Sequence, residues 1–198
     1  MTERKDIQQT HAAPTRRKRR RRRRRNPVME LLSWVVPIVL AVVVALVVRT
    51  YVFEFVAVKG PSMQPGLETG EVLFVNKLVY QHHDPSAGEV VITGFPGFED
   101  TFVKRVVGCP GDTIEIRQGV VYRNGQAVEE PYVRYEKLED VAALTVPAGQ
   151  YFVMGDNRAN STDSRTIGMV NRALIRGKAQ QVIWPLNRWE GIGHHAAQ

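Results

Sequence analysis

Ser62 lies in GPSMQP, starting at Gly60, and Lys104 lies in FVKRVVGCPGD, starting at Phe102. A serine hydroxyl attacks a carbonyl only when a base takes its proton. None of the five histidines sits in a setting built for that task, so Lys104 is the natural base. The requirement is severe: from a reference pKa of about 10.4, only roughly one lysine in 2,500 is neutral at pH 7. Burial is the lever that lowers this value. Arginine is no substitute, because it keeps its proton in proteins.

Ser62 stands between Pro61 and Pro65, which fix φ and exclude regular helix, giving the rigidity a nucleophile needs. Taken alone, an ordinary turn serine is the commoner case. Around Lys104 the pattern alternates: Phe102, Lys104 and Val106 share one face, and Val103, Arg105 and Val107 the other. Either Lys104 or Arg105 is therefore expected to point inward. A lysine on an edge strand, where it blunts aggregation, is the structural alternative. A third segment, GDNRANSTDSR from Gly155 to Arg165, follows the apolar run YFVM. Its hydroxyls can hold a lysine amine, and Asp156, Arg158, Asp163 and Arg165 can form a charge network. The same composition also suits a polar surface loop.

The elements that must position these residues read as β. Glu71–Tyr80, Glu89–Thr93 and Thr101–Val107 are rich in Val and aromatics and bounded by Gly, Pro or Asp. Thr113–Arg117 and Val120–Arg123 flank Gln118-Gly119, a tight hairpin, and Asn124-Gly125 supplies a second turn. Tyr151–Met154 and Lys178–Trp184 are further strands. The prediction is a mainly β, antiparallel barrel or folded sheet. One cysteine, Cys109, excludes an intramolecular disulfide and reads as a small buried apolar residue.

Upstream lies a different kind of chain. The net charge of +7 is unevenly spread: residues 1–30 hold twelve Lys/Arg against three Asp/Glu, a net of +9, and the rest is −2. The unbroken basic run Arg16–Arg25 repels itself, so residues 1–29 are expected to be a disordered tail. Three roles fit it: a topology signal, contact with anionic lipid, and nucleic-acid or ribosome binding. No aromatics interleave the run, so base stacking is unsupported and no nucleic-acid partner is expected. Leu31–Val48 is uncharged; as a helix it rises about 27 Å, near the hydrocarbon thickness of a bilayer. Trp34 and Tyr51 suit the two interfaces, and no small-x-small cleavage site follows. The expectation is an uncleaved transmembrane anchor at 30–53, a cytoplasmic N-terminus, and an extracytoplasmic β domain at 54–198.

Together the three segments closely resemble those of bacterial type I signal peptidases, the leader peptidases of the Ser/Lys class. The resemblance covers most of Val56–Lys178 and the anchor before it. It implies a membrane-bound serine endopeptidase with no cofactor or metal, acting on the signal peptides of exported preproteins after small-x-small sites, typically Ala-x-Ala. It implies Ser62 as nucleophile, Lys104 as general base, Ser161 as the hydroxyl that orients the lysine, and Asp163 with Arg165 as a supporting pair. Met63, Leu67 and Val103 flank the catalytic residues and are expected to line the small-residue pockets. Some members carry a serine two places before the nucleophile; here, as in others, that position is glycine, Gly60. The oxyanion then depends on the Ser62 N–H, since Pro61 has none.

Two other classes compete. A Ser/Lys self-cleaving regulator, akin to the SOS-response repressors, shares the catalytic pair but not this anchor. A membrane-bound polyanion binder would use the arginine run and leave Ser62 idle. His82-His83-Asp84 falls in an expected loop and His194-His195 in the terminal tail, weak settings for a metal or triad role, and the Asp/Glu residues show no metal-ligand spacing.

Overall fold

A computed structural model describes residues 27–134 and 136–193. The run Arg16–Arg25, and with it nearly all of the expected tail, lies outside the described residues, as does His194-His195. The chain divides into two compact units, residues 1–41 and 42–198. Helix α1, Pro27–Tyr51, begins in the first and ends in the second. Glu30 in its first turn and Arg49 in its last complement the helix dipole. Its Val28–Tyr51 stretch is long and apolar enough to cross a membrane, and almost every side chain on it is exposed. The helix stops two residues short of the expected boundary because Phe53 already belongs to a strand.

The second unit is β. In chain order its strands are β1 (Phe53–Ala57), β2 (Val72–Asn76), β3 (Val90–Thr93), β4 (Phe102–Gly108), β5 (Thr113–Arg117) and β6 (Val120–Arg123). They continue with β7 (Gln126–Ala127), β8 (Val141–Thr145), β9 (Gln150–Met154), β10 (Val170–Asn171), β11 (Ile175–Trp184) and β12 (Glu190–Gly191). The larger sheet runs β1-β2-β11-β3-β4-β9-β10, with β12 also on β11; the smaller runs β7-β6-β5-β8. All pairings are antiparallel, as predicted. Both predicted hairpin turns form: Gln118-Gly119 and Asn124-Gly125 have positive φ at both positions, as the twist of a two-residue turn demands.

Two expectations change. The strand predicted over Glu71–Tyr80 ends at Asn76, whose Oδ1 accepts the N–H groups of Leu78 (2.9 Å) and Val79 (3.3 Å). That side chain turns the backbone into a short helix, α2, Val79–His82, although the residues there favour strand. The second change concerns β4. It lies between β3 and β9 and is covered on both faces, so Lys104 (1% exposed) and Arg105 (4%) are both buried rather than one. One core layer holds Met63, Leu67, Leu73, Val75, Ile92 and Val103; another, across the sheet, holds Val91, Val106, Tyr151 and Val153. The small sheet packs Ile114, Ile116 and Val121 against Phe152 and Met154 of β9. Apolar residues that alternate along each strand thus feed separate layers.

Candidate active site

Ser62 sits in a turn between β1 and β2, closed by Gln64 N–H donating to Pro61 O (3.1 Å) and Leu67 N–H to Met63 O (2.9 Å). Asn157 holds this turn from outside. Its backbone N–H donates to Ser62 O at 3.0 Å and its Nδ2 to Pro61 O at 3.1 Å. Asn157 follows Gly155, and a Cβ at Gly155 would collide with both the Ser62 carbonyl oxygen and the Ser161 hydroxyl. Only glycine lets the serine turn and the Ser161 segment close on one point.

Lys104 comes to that point from the middle of β4. Its Nζ donates to Ser161 Oγ at 3.0 Å. Ser161 Oγ in turn donates to Asp163 Oδ2 at 2.7 Å. Asp163 also accepts from the Gly155 N–H (3.0 Å) and from both Nε and Nη2 of Arg165, at 2.8 Å each. A hydroxyl has one proton, and Ser161 gives it to a carboxylate. The Ser161 oxygen therefore faces Lys104 as an acceptor and takes up one lysine N–H.

The electrostatics follow from burial. Desolvation pushes the Lys104 ammonium down from its ordinary 10.5 to about 8. Asp163 and Asp156 pull the other way, and Arg165 assists the decrease. Burial opposes the charge of Asp163, but the Arg165 fork, the Gly155 N–H and the Ser161 hydroxyl outweigh it and hold its carboxyl below the usual range. Arg165 reaches further, to Glu139 and to Arg158 O.

A cavity of about 420 Å³ opens beside Ser62, walled by Val58, Gly60, Thr101, Phe102 and Val103. Of the three residues expected in the small-residue pockets, Val103 lines this cavity. Met63 and Leu67 are buried in the core below, and Leu67 faces a different cavity, of about 220 Å³, beside Arg105 and Asp156. The charge network expected within GDNRANSTDSR is only partly internal. Asp163 pairs with Arg165, but Asp156 pairs with Arg105 (2.7 Å) and Arg158 with Glu130 (2.5 Å). Among the described residues no cluster of His, Cys, Asp or Glu gathers as metal ligands do.

The profile of the signal peptidase family, peptidase S26, matches residues 31–184. The chain belongs to this family. A signal peptidase I of Bacillus licheniformis is 39% identical over 173 residues, spanning 82% of this chain and 93% of its own. Signal peptidase I T of Bacillus subtilis is 40% identical over 79% of this chain and 86% of its own. A probable signal peptidase I-1 of Synechocystis is 38% identical, with 79% and 84% covered. As a member of the peptidase S26 family the chain is a serine peptidase, which removes the polyanion binder from consideration.

Several residues of this signal-peptidase-family site were not visible in the sequence. Asn157 and Gly155 stand in the quoted motif, but nothing in their spacing marks them as the clamp on Ser62. Glu130 and Glu139 lie in a stretch without periodicity. The signal available was indirect: Arg158 and Arg165 each need a carboxylate once buried.

Proposed function

We propose that the chain is a membrane-anchored endopeptidase that removes signal peptides from exported preproteins through Ser62 and Lys104. The observation that carries this reading is Lys104 itself, an amine 1% exposed with its pKa near 8, bonded to Ser161 beside the Ser62 turn. The neutral amine, with one N–H given to Ser161, turns its lone pair to the Ser62 hydroxyl and takes its proton as Oγ attacks the scissile carbonyl. The Ser62 N–H stabilises the oxyanion; among the described residues no acceptor occupies it. Protonated Lys104 gives its proton to the leaving amine, the C–N bond breaks, and the mature chain departs. Lys104 then activates a water that cleaves the acyl ester and frees the signal peptide.

The substrate lies extended along the cavity, so alternate side chains meet its wall. That accounts for small residues at positions −1 and −3, with Val103 among the contacts and Met63 and Leu67 supporting it from beneath. Asp163 and Arg165 keep Ser161 in place. Helix α1 is the anchor, and residues 54–198 work outside the cytoplasm, with the basic tail inside and Arg16–Arg25 against anionic lipid.

The test is cleavage of a preprotein bearing an Ala-x-Ala site by the detergent-solubilised chain. Wild type releases the mature protein, and Ser62→Ala and Lys104→Ala each lower the rate by at least 10³-fold, as removal of a nucleophile or its base does. Cleavage surviving either change would sink the assignment.

A further inference from the structure

We propose that the recess where α1 meets the sheet binds the phosphate of an anionic phospholipid headgroup; this rests on the reading of α1 as a membrane anchor. The recess, about 820 Å³ and wholly within residues 42–198, is lined by Arg49, Lys77 and Arg176, with Glu54, Leu46 and Phe55 around them. Three cations face one carboxylate. Lys77 is engaged, 2.9 Å from Glu54 and 3.3 Å from the Thr50 carbonyl. Arg49 and Arg176 are exposed, and among the described residues neither guanidinium has an acceptor.

The topology explains why they converge. Val52 N–H still bonds to Val48 O of the helix, and Lys77 N–H bonds to Val52 O, so the end of β2 is tied to the end of α1. The register of β11 sets Lys178 opposite Asn76, which places Arg176 past the end of β2, beside Lys77. Arg49 comes from the last turn of the helix. The last turn of an apolar span lies at headgroup depth, where phosphates are concentrated. Leu46 is one turn below Arg49 on the same helix face, and the Phe55 ring is exposed, so an apolar wall adjoins the cations. A free phosphate has no use for that wall; a phospholipid brings an acyl chain to it. Two unengaged guanidinium forks suit phosphate oxygens. A zwitterionic headgroup would carry its own ammonium into the cation cluster, so the anionic class is preferred.

Native mass spectrometry of the full chain in mild detergent, with phosphatidylglycerol and phosphatidylcholine in competition, reads this directly. The expected result is retained phosphatidylglycerol, and about a 30-fold loss in Arg49→Gln/Arg176→Gln, at about 1 kcal/mol per cation. Glu54→Gln, which removes the competing carboxylate, should strengthen retention. Residues 1–26 are common to all three chains, so their contribution cancels. Unchanged cleavage of a soluble peptide shows that each variant is folded. Equal retention by wild type and the double variant, or equal retention of the two lipids, overturns the proposal. So does full displacement by millimolar inorganic phosphate, which would make this a free-anion site. The anchor reading is scored separately, by whether alkaline carbonate strips the chain from vesicles.

Discussion

The proposed chemistry depends on one proton. With Lys104 near pH 8, about one amine in ten is neutral at pH 7, against roughly one in 2,500 for an unperturbed lysine. In the proposed mechanism the neutral form is the base, so kcat/KM on a peptide substrate should rise about tenfold per unit from pH 6 and level off above about 8. A flat profile, or one that keeps climbing to pH 10, contradicts the assignment. The same shift costs stability. The folded-state value lies below the unfolded 10.5, so the unfolded chain binds the proton more tightly. The penalty is fully present below about pH 8 and relieved as pH rises from there towards 10.5. Lys104→Met should therefore raise unfolding free energy at pH 7, by up to about 3 kcal/mol, while abolishing cleavage. Urea unfolding of wild type and variant at pH 7 and pH 10 checks this, because the difference should shrink at the higher pH. Ser62 and Lys104 were legible as residue types with a chemistry. The burial of Lys104 was not, because alternation cannot tell a half-covered strand from one covered on both faces.

At the scale of elements, the site is three segments closed on one another. The turn before β2, the middle of β4 and the loop after β9 meet because Gly155 has no side chain and Asn157 bonds the serine turn twice. Gly155→Ala should cut cleavage by at least 10²-fold, as about 1 Å of misplacement does. Circular dichroism should remain native, since the clash is confined to the Ser62 and Ser161 atoms. Wild-type rates in that variant would mean the two segments need not touch. The hairpins around Gln118-Gly119 and Asn124-Gly125 were readable because a two-residue turn with positive φ has few solutions. Strands β1 and β8, and the end of β2, were not. Phe53, the first residue of β1, reads as the last residue of the apolar anchor, and Asn76 ends its strand through a side-chain bond that spacing does not reveal.

At the scale of the whole molecule, the proposed orientation rests on the charge asymmetry about α1. Replacing the arginines of Arg16–Arg25 with glutamine should increase the fraction of inverted chains, seen as catalytic domain protected from externally added protease in spheroplasts. An unchanged protection pattern would show that the run does not set topology. The buried Arg105–Asp156 pair and the Arg158–Glu130 pair join β4 and the Ser161 loop to the long connection between β7 and β8. The smaller sheet is thereby fastened to the larger one.

The amino-acid sequence by itself determined the chemical inventory, the β character and the apolar helix with its basic flank, because these follow from residue type, period and local charge. It also carried the three motifs by which the chain is recognisable as a signal-peptidase-family member. Only the tertiary structure decided that both Lys104 and Arg105 are buried, that Ser161 spends its proton on Asp163, and that Glu130 and Glu139 serve the Ser161 loop from far along the chain. Those are properties of strand order and layer packing. They arise between residues distant in sequence, where desolvation and partner choice are set by what the fold places opposite.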